Sequence, residues 1–223
     1  MENHVLPYTA MSVHVPDVAI NFEEHNDFKY AEYGLKKIRS TRSGALLLNR
    51  IRAITTDEKK LMIRVNHRIN TGHIVFLTKS QIERFKMPEE INDPDHQAAV
   101  KVFAKRKVDG EKGEGVNTVV SYNPAQTVAI DADGYPVAMN DGRHSIAMLA
   151  HELVHAYHAM NGTSMMSKPD DVWFYGKGQR LEEERATGVG PFQQEPFSEN
   201  SIRYELGYPM RASYFYKNAL PLT

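Results

Sequence analysis

Residues 147–158 have the sequence Ala-Met-Leu-Ala-His-Glu-Leu-Val-His-Ala-Tyr-His, which contains a His-Glu-x-x-His motif. Residues four apart on a helix lie on the same face, so His151 and His155 can direct their imidazoles at one point. Two neutral imidazoles form half of a typical zinc site. Glu152 lies beside His151 and can reach a water in an open coordination position, as general bases do in zinc peptidases. The motif therefore predicts a catalytic zinc site on a helix.

The residues around the motif support a helix. Apolar residues recur at helical spacing, and no Gly or Pro interrupts residues 143–161 before Asn161 and Gly162 end the stretch. This pattern predicts a half-buried helix. The alternative is a helix whose histidines lie on a solvated face. His158 shares the face of His151 and His155, but a catalytic site keeps one position open for water. We interpret His158 as lying behind the ligands or at the surface; as a fourth ligand it would close a structural site.

Composition limits the possible functions. The 223 residues are enough for one sizeable domain, with 41% apolar and 25% charged residues. A net charge of −1 gives no electrostatic case for a nucleic-acid or anionic membrane partner, and no apolar run is long enough to span a bilayer. The absence of cysteine excludes disulfides and thiol nucleophiles. The first residues lack the basic and apolar regions of a cleavable signal peptide.

The sequence predicts an irregular N-terminal segment followed by two helices. Residues 1–26 show no clear period, and we expect a flexible N-terminal segment there. Asp27 is a candidate cap for a helix that reaches Ile38, and a second helix is predicted to end near Ile54. The predicted domains are thus a flexible segment over 1–26 and a zinc metalloprotease domain over 27–223.

The pattern then changes to strands. Residues 61–65 and 73–77 are predicted strands with a turn at 70–72, and 118–122 and 127–131 form a predicted hairpin before the motif helix. Residues 80–112 are predicted to be loop and short helix. A sheet edge above such a helix can hold an extended peptide, which makes 116–122 a candidate substrate strand; the alternative is an ordinary core hairpin. Trp173, in the loop 161–179, is a candidate for specificity or for local packing.

A catalytic zinc site needs a third protein ligand, and residues 181–188 offer Glu182, Glu183 and Glu184 before a glycine. One of these carboxylates can complete a His-His-Glu site, and a neighbouring one can hydrogen-bond a ligating histidine. The alternative is three glutamates on a solvated face.

Further along the sequence, Arg211 and Tyr214 are three residues apart and can stabilise a developing oxyanion. The alternative is that they form a pair on the surface.

Several of these segments, taken in order, resemble the NleD family of bacterial type III secretion effectors, which are zinc metalloproteases. The resemblance covers roughly residues 110–216, and parts of it are also similar to the light chains of clostridial neurotoxins. The similar segments are Lys-Gly-Glu-Gly-Val-Asn at 112–117, Leu-Ala-His-Glu-Leu-Val-His-Ala at 149–156, Glu-Glu-Glu-Arg-Ala-Thr-Gly at 182–188, Ser-Glu-Asn-Ser-Ile-Arg at 198–203 and Arg-Ala-Ser-Tyr at 211–214.

The resemblance assigns roles to individual residues. It implies that His151, His155 and Glu183 bind one Zn²⁺ per chain and that Glu152 is the general base. It also implies that Glu182 supports a ligand, and that Arg211 and Tyr214 stabilise the transition state. Because three glutamates run together, a shift of the ligand to Glu182 or Glu184 stays open. Adjacent helical residues point about 100° apart, so only one of them can be the ligand.

The expected fold is α+β: a single zincin-like metalloprotease domain with a HExxH active-site helix, a small antiparallel sheet and N-terminal helices. The resemblance implies an endopeptidase that enters the host cell cytoplasm through a type III system and cleaves stress-activated MAP kinases in the activation-loop Thr-x-Tyr segment. A monomer is expected. The alternatives are a non-catalytic, zinc-stabilised binding module and a zinc hydrolase of another substrate.

Overall fold

The structure is a computed structural model that describes residues 8–107, 109–139, 142–166 and 177–217. Trp173 therefore lies outside the described residues. The described part contains seven strands, seven α-helices and one short 3₁₀ helix. The strands are β1 (Tyr8–Met11), β2 (Val18–Phe22), β3 (Leu61–Val65), β4 (Gly72–Phe76), β5 (Asn117–Tyr122), β6 (Thr127–Ile130) and β7 (Pro136–Met139). The helices are α1 (His25–Arg39), α2 (Arg42–Ile54), α3 (Lys79–Phe85), α4 (Pro94–Phe103), α5 (Ser145–Met160), α6 (Lys177–Thr187) and α7 (Glu199–Leu206), with the 3₁₀ helix at Gly190–Phe192.

The main sheet has five strands in the order β1-β2-β3-β5-β4. β2 and β5 are both parallel to β3, whereas β1 and β4 are antiparallel to their neighbours, so the sheet is mixed and larger than the small antiparallel sheet expected. β6 and β7 form a separate two-stranded sheet. The α+β class of the single domain is as predicted.

Strand pairing differs from the sequence-based expectation. β3 and β4 do not form a hairpin, because β5 lies between them, and β6 pairs with β7 rather than with β5. β5 is therefore internal and buried along its whole length, so 116–122 is not a sheet edge. Within the described residues the edge strand on this side is β4.

The expectation of an irregular segment over residues 1–26 is wrong for residues 8–22. β2 pairs in parallel with β3, and its residues Val18 and Ile20 are fully buried in the core. Helix α1 also begins earlier than predicted. Glu24 is its N-cap and Asp27 is at position N3. The two residues form a capping box, in which the side chain of each accepts a hydrogen bond from the backbone N–H of the other.

Helix α5 is the central element of the molecule. Fourteen of its sixteen residues are buried, so it is an interior helix rather than the half-buried one expected. It packs against α1, α2, α7 and the strands β4 and β5. An apolar helix surrounded by other elements on most sides is typical of a core position. Its central residues Leu149 and Leu153 are fully buried in a cluster with Leu35, Leu47 and Ile63.

Two glycines allow close approaches that position α5 and the helices after it. Gly115 has φ +78°, and a Cβ there would lie 1.8 Å from the carbonyl oxygen of Met160, so the entry to β5 rests directly on the end of α5. Gly188 has φ +81° and ends α6, and a Cβ there would lie 2.2 Å from Oγ of Ser198. Ser198 is the N-cap of α7, so Gly188 brings the end of α6 against the start of α7.

Among the described residues, no helix combines the length and the apolar character needed to cross a membrane.

Candidate active site

The two histidines of the motif lie one turn apart on α5 and meet at a single point. Nε2 of His155 lies 3.0 Å from Nε2 of His151, and the two rings meet nearly edge to face. Both side chains are almost fully buried, with 3–4% exposed. The alternative of histidines on a solvated face is thereby excluded.

One of the three consecutive glutamates joins this point. Oε2 of Glu183, on α6, lies 3.2 Å from Nε2 of His151 and 3.0 Å from Nε2 of His155. Glu182 is rotated away and contacts the other ring nitrogen of His155, whereas Glu184 pairs with Arg180. Because adjacent helical residues point in different directions, Glu183 lies at the point where the two histidines meet and its two neighbours do not.

His151, His155 and Glu183 can hold a metal ion. A tetrahedral zinc with ligands at about 2.0–2.1 Å separates its ligand atoms by roughly 3.3 Å. The observed separations of 3.0–3.2 Å and the His-His-Glu donor set fit such an ion. His158 is not part of this group, so the described residues offer three ligands rather than four.

His155 is supported from behind by the Glu182 cluster, which we define as Glu182, His158 and the backbone N–H of Met165. Oε1 of Glu182 lies 3.2 Å from Nδ1 of His155 and 2.7 Å from Nδ1 of His158. The Met165 N–H donates to Oε2 at 2.8 Å. Glu182 is 1% exposed. Each of its oxygens is therefore occupied, and the outer nitrogen of His155 is fixed.

His151 is supported by the Glu199 cluster, which we define as Glu199, Arg203 and Arg211. Nδ1 of His151 lies 2.9 Å from Oε2 of Glu199. The same oxygen accepts from Nη1 of Arg211 at 3.0 Å, and Oε1 accepts from Nε of Arg203 at 2.6 Å. Glu199 and Arg203 are completely buried. A buried carboxylate beside two guanidinium groups is charge-compensated, and here it also orients a histidine.

Glu152 lies between the histidines and the sheet. Its Oε2 lies 2.7 Å from Nδ1 of His73 on β4, and the His73 ring stacks on His155 with centroids 4.8 Å apart. Burial raises the pKa of the Glu152 carboxyl, but the hydrogen bond and charge of His73 outweigh burial and hold that pKa below its usual value. Glu152 is therefore ionised at neutral pH and able to accept a proton.

The histidines and glutamates at the centre are strongly coupled. Burial alone would lower the pKa of His155, but the charge of Glu183 and hydrogen bonds that the imidazole donates to Glu182 and Glu183 raise it well above its usual value. Burial likewise opposes ionisation of Glu183, yet His155 and His151 hold the pKa of this carboxyl far below its ordinary value. A protonated histidine cannot bind a metal, so metal binding here must release protons.

Arg211 and Tyr214 lie on the His151 side. The Tyr214 ring stacks on His151 at 5.6 Å between centroids and 13° between planes. The Arg211 guanidinium is mostly used inside the protein: besides Glu199 it donates to the carbonyl oxygens of Ser213 and Tyr214. Arg211 is 6% exposed, so it lies behind the Tyr214 ring and fixes the turn that carries it.

Two cavities flank the histidine pair. One, of about 280 Å³, is lined by His151, Glu152, Arg211 and Tyr214 together with residues of β6 and β7. The other, of about 130 Å³, lies on the side of His155 between β4 and α4, and most of its lining is apolar. The metal-directed atoms thus lie between two recesses.

Sequence reasoning missed the roles of both His73 and Glu199. His73 lies in a strand far before the motif, and Glu199 follows the N-cap of α7, where an acidic residue also suits the helix dipole. The one signal for Glu199 was its position within the 198–203 segment that resembles the effector family. His73 had no signal beyond a polar residue in an apolar strand.

Comparison with known proteins gives a family match and a number of similar solved structures. The catalytic domain of Clostridium botulinum neurotoxin serotype F is 13% identical, with a TM-score of 0.49 over 87% of this chain and 68% of that chain. The serotype F light chain is 15% identical, with a TM-score of 0.40 over 66% of this chain and 38% of that chain. The serotype HA light chain is 16% identical, with a TM-score of 0.38 over 63% and 36%. No curated protein sequence matches.

The family match covers most of the sequence. Residues 16–214, from the loop before β2 to Tyr214, match the Peptidase M91 family, whose description is "Effector protein". The matched range contains all of the residues that meet at the histidine pair. The chain therefore belongs to the Peptidase M91 family of effector proteins.

Proposed function

We propose that this chain is a zinc-dependent endopeptidase that acts as a bacterial effector on a host protein. The observation that carries the proposal is the convergence of Nε2 of His151, Nε2 of His155 and Oε2 of Glu183 within 3.0–3.2 Å, with Glu152 beside them. Membership of a peptidase family supports the reaction class. We propose one catalytic domain that includes β2, because this strand pairs with β3.

His151, His155 and Glu183 would hold the zinc. When bound, zinc lowers the pKa of a water to about 7 and polarises a peptide carbonyl. Glu152 takes a proton from the attacking water on its carboxylate and passes it to the nitrogen of the leaving amine. General acid–base transfer of this kind typically contributes about 10²–10⁴-fold to the rate.

Arg211 and Tyr214 stabilise the developing oxyanion in this proposal. The Tyr214 ring lies on His151 and lines the same cavity as Glu152, which suits contact with a substrate carbonyl. Three contacts occupy part of the five N–H groups of Arg211. Arg211 also holds Glu199 and the backbone of Tyr214, so it contributes through the position of both.

For the substrate we propose stress-activated MAP kinases, cut within the activation-loop Thr-x-Tyr segment after type III delivery into the host cytoplasm. The resemblance to NleD-type effectors is the support for this choice. An activation loop is extended and can pair with β4, the edge strand next to Glu152, while its side chains enter the flanking recesses.

The test of the reaction uses zinc-loaded protein and Glu152→Gln, which keeps the shape of the side chain but removes the base. The variant should bind one zinc with the affinity of the parent protein and lose cleavage by about 10²–10⁴-fold. Metal content is read by mass spectrometry under native conditions, and cleavage by intact mass of the substrate. Full cleavage by zinc-loaded Glu152→Gln would refute the mechanism.

The test of the substrate incubates the zinc-loaded protein with a panel of intact human and plant MAP kinases. The matched control is a kinase whose Thr-x-Tyr segment is replaced. We expect one cut in the activation loop, absent in the control and with Glu152→Gln. A cut elsewhere in the kinase, or cleavage of the control, would overturn the substrate proposal and leave the peptidase assignment in place.

A further inference from the structure

Strand β4 lies next to Glu152, the candidate base, and carries His73, a histidine outside the helix motif. His73 lies on the edge strand β4, opposite Val120 of β5. Side chains alternate between the two faces of a strand, so His73 and Val75 share a face. That face is turned toward α5, because His73 contacts Glu152 and His155, and because both His73 and Val75 line the cavity beside His155.

The contact with Glu152 is short and shielded from solvent. Nδ1 of His73 and Oε2 of Glu152 are 2.7 Å apart, and their side chains are 14% and 10% exposed. A carboxylate oxygen accepts hydrogen bonds, so a proton on Nδ1 of His73 makes this contact a hydrogen bond to Glu152. The contact occupies Oε2 and leaves Oε1 as the oxygen that can meet a water.

The His73 ring is itself held on two sides. Its plane is 22° from that of His155, with which it stacks, and its strand is fixed by pairing with the buried strand β5. A glutamate side chain on a helix has several rotamers, and a donor whose ring is packed against His155 favours the one that it contacts. His73 can therefore define which rotamer Glu152 adopts.

We propose that His73 is a positioning residue that holds the Glu152 carboxylate through its Nδ1–H, so that one carboxylate oxygen is presented to the attacking water. The inference rests on the proposed function, because Glu152 is taken to be the base. It adds a residue outside the helix motif to the reaction, supplied by the strand at which we place the substrate.

Three substitutions separate the hydrogen bond from the bulk of the ring. The amide nitrogen of His73→Asn lies near the place of Nδ1, that of His73→Gln lies near the place of Nε2, and His73→Ala has neither. We expect His73→Ala and His73→Gln to lower kcat roughly 10–100-fold, as removal of such supporting groups typically does, with little change in KM. His73→Asn should recover most of the lost kcat.

Zinc affinity distinguishes positioning from coordination. In competition with a chromophoric chelator, all three variants should bind zinc within a few-fold of the parent protein. His25→Asn, at an exposed histidine at the start of α1, is the matched control and should change neither kcat nor affinity. A loss of zinc affinity greater than 100-fold in His73→Ala would make His73 a ligand and overturn the proposal. Equal kcat for His73→Gln and His73→Asn would also overturn it.

A second readout does not require proteolysis. Two-bond ¹⁵N–¹H correlation spectra of the zinc-loaded protein report the tautomer of each histidine, and His73→Asn identifies the His73 signals. We expect His73 to be an Nδ1–H tautomer that converts to a mixture in Glu152→Ala. A His73 tautomer that is unchanged in Glu152→Ala would refute the contact. The spectra and the cleavage assay can also disagree. If the Nδ1–H tautomer depends on Glu152 but the protein cleaves no substrate, the contact between His73 and Glu152 is upheld and the proposed function is refuted.

Discussion

The two metal-directed histidines are each backed by a buried glutamate, but the two glutamates are neutralised in different ways. In the Glu199 cluster, two guanidinium groups that are charged at all relevant pH values surround the carboxylate. In the Glu182 cluster, the partners are the imidazoles of His155 and His158 and one backbone N–H. The support of His151 is thus permanent, whereas the support of His155 depends on protons.

This difference follows from where the two clusters lie. Glu199 starts α7 and faces residues of the same helix and of the turn at 211–214, so its cations come from the C-terminal part of the chain. Glu182 lies on α6 next to Glu183, and the partners that it meets on α5 are His155 and His158. The charge that neutralises the glutamate behind His151 therefore stays constant with pH, whereas the charge behind His155 changes as the imidazoles titrate.

The largest effect should come from Glu199→Ala. The substitution leaves Arg203 and Arg211 buried without their common counter-charge, and breaking a buried ion pair costs roughly 3–5 kcal/mol. We expect the free energy of unfolding of the metal-free protein, measured by urea denaturation, to fall by about that amount.

Glu205→Ala is the matched control because Glu205 lies on the same helix but is exposed, and it accepts hydrogen bonds from Arg42 and Ser43 at the start of α2. It should cost no more than about 1 kcal/mol. Equal losses of stability for the two variants would show that the Glu199 cluster stabilises the fold no more than an exposed glutamate at a helix end does.

Features of the site that depend on residues close together in the sequence could be predicted, whereas features that depend on distant residues could not. Helix α5 and the histidine pair are local signals, and the structure places both of them within a few residues of the prediction. Glu183 could be singled out among three glutamates only through the resemblance to the effector family. The roles of Glu199 and His73 were not visible, because their partners lie far away along the chain.

The fold shows the same limit. Periodicity located β3, β4 and β5 because alternation is a property of a few consecutive residues. It could not show that β5 inserts between β3 and β4, because strand order depends on contacts between distant segments. The strands β1 and β2 were missed because they have only four and five residues and are separated by a turn that contains Pro16 and Asp17.

Glu182→Gln should have the second largest effect. A glutamine has one acceptor oxygen, so either the imidazoles or the Met165 N–H would lose its partner, at a cost of about 1–3 kcal/mol. The loss is smaller than for Glu199→Ala because no permanent cation is left unpaired. Zinc affinity should fall roughly 10–100-fold as the orientation of His155 loosens. Unfolding curves with and without zinc measure both; unchanged zinc affinity would contradict the supporting role of Glu182.

The pH dependence of these two variants should differ in the metal-free protein. The pKa of His155 is raised well above its usual value by Glu183 and Glu182, against the effect of burial. Such a histidine contributes stability that is fully present below pH 6.5 and is lost as the pH rises through its raised pKa. The destabilisation caused by Glu182→Gln should therefore shrink from pH 6 to pH 9.

The destabilisation caused by Glu199→Ala should change less over the same range, because Arg203 and Arg211 stay charged while only His151 titrates. Urea unfolding at pH 6, 7.5 and 9 in the presence of a chelator gives both slopes. Parallel slopes for the two variants would show that the partners of the two glutamates titrate alike and would remove the contrast between the clusters.

The smallest effect should come from His158→Asn. His158 is 2% exposed and burial lowers its pKa, so it acts as a neutral donor to Glu182 rather than as a cation. The asparagine amide can take the place of Nδ1, and the Met165 N–H still holds Oε2, so stability should fall by less than about 1.5 kcal/mol. Zinc affinity should stay within a few-fold of the parent value, because three other atoms form the metal-directed group. A loss of zinc affinity as large as that of Glu182→Gln would indicate that His158 coordinates the ion, and the site would then be closed and structural rather than open and catalytic.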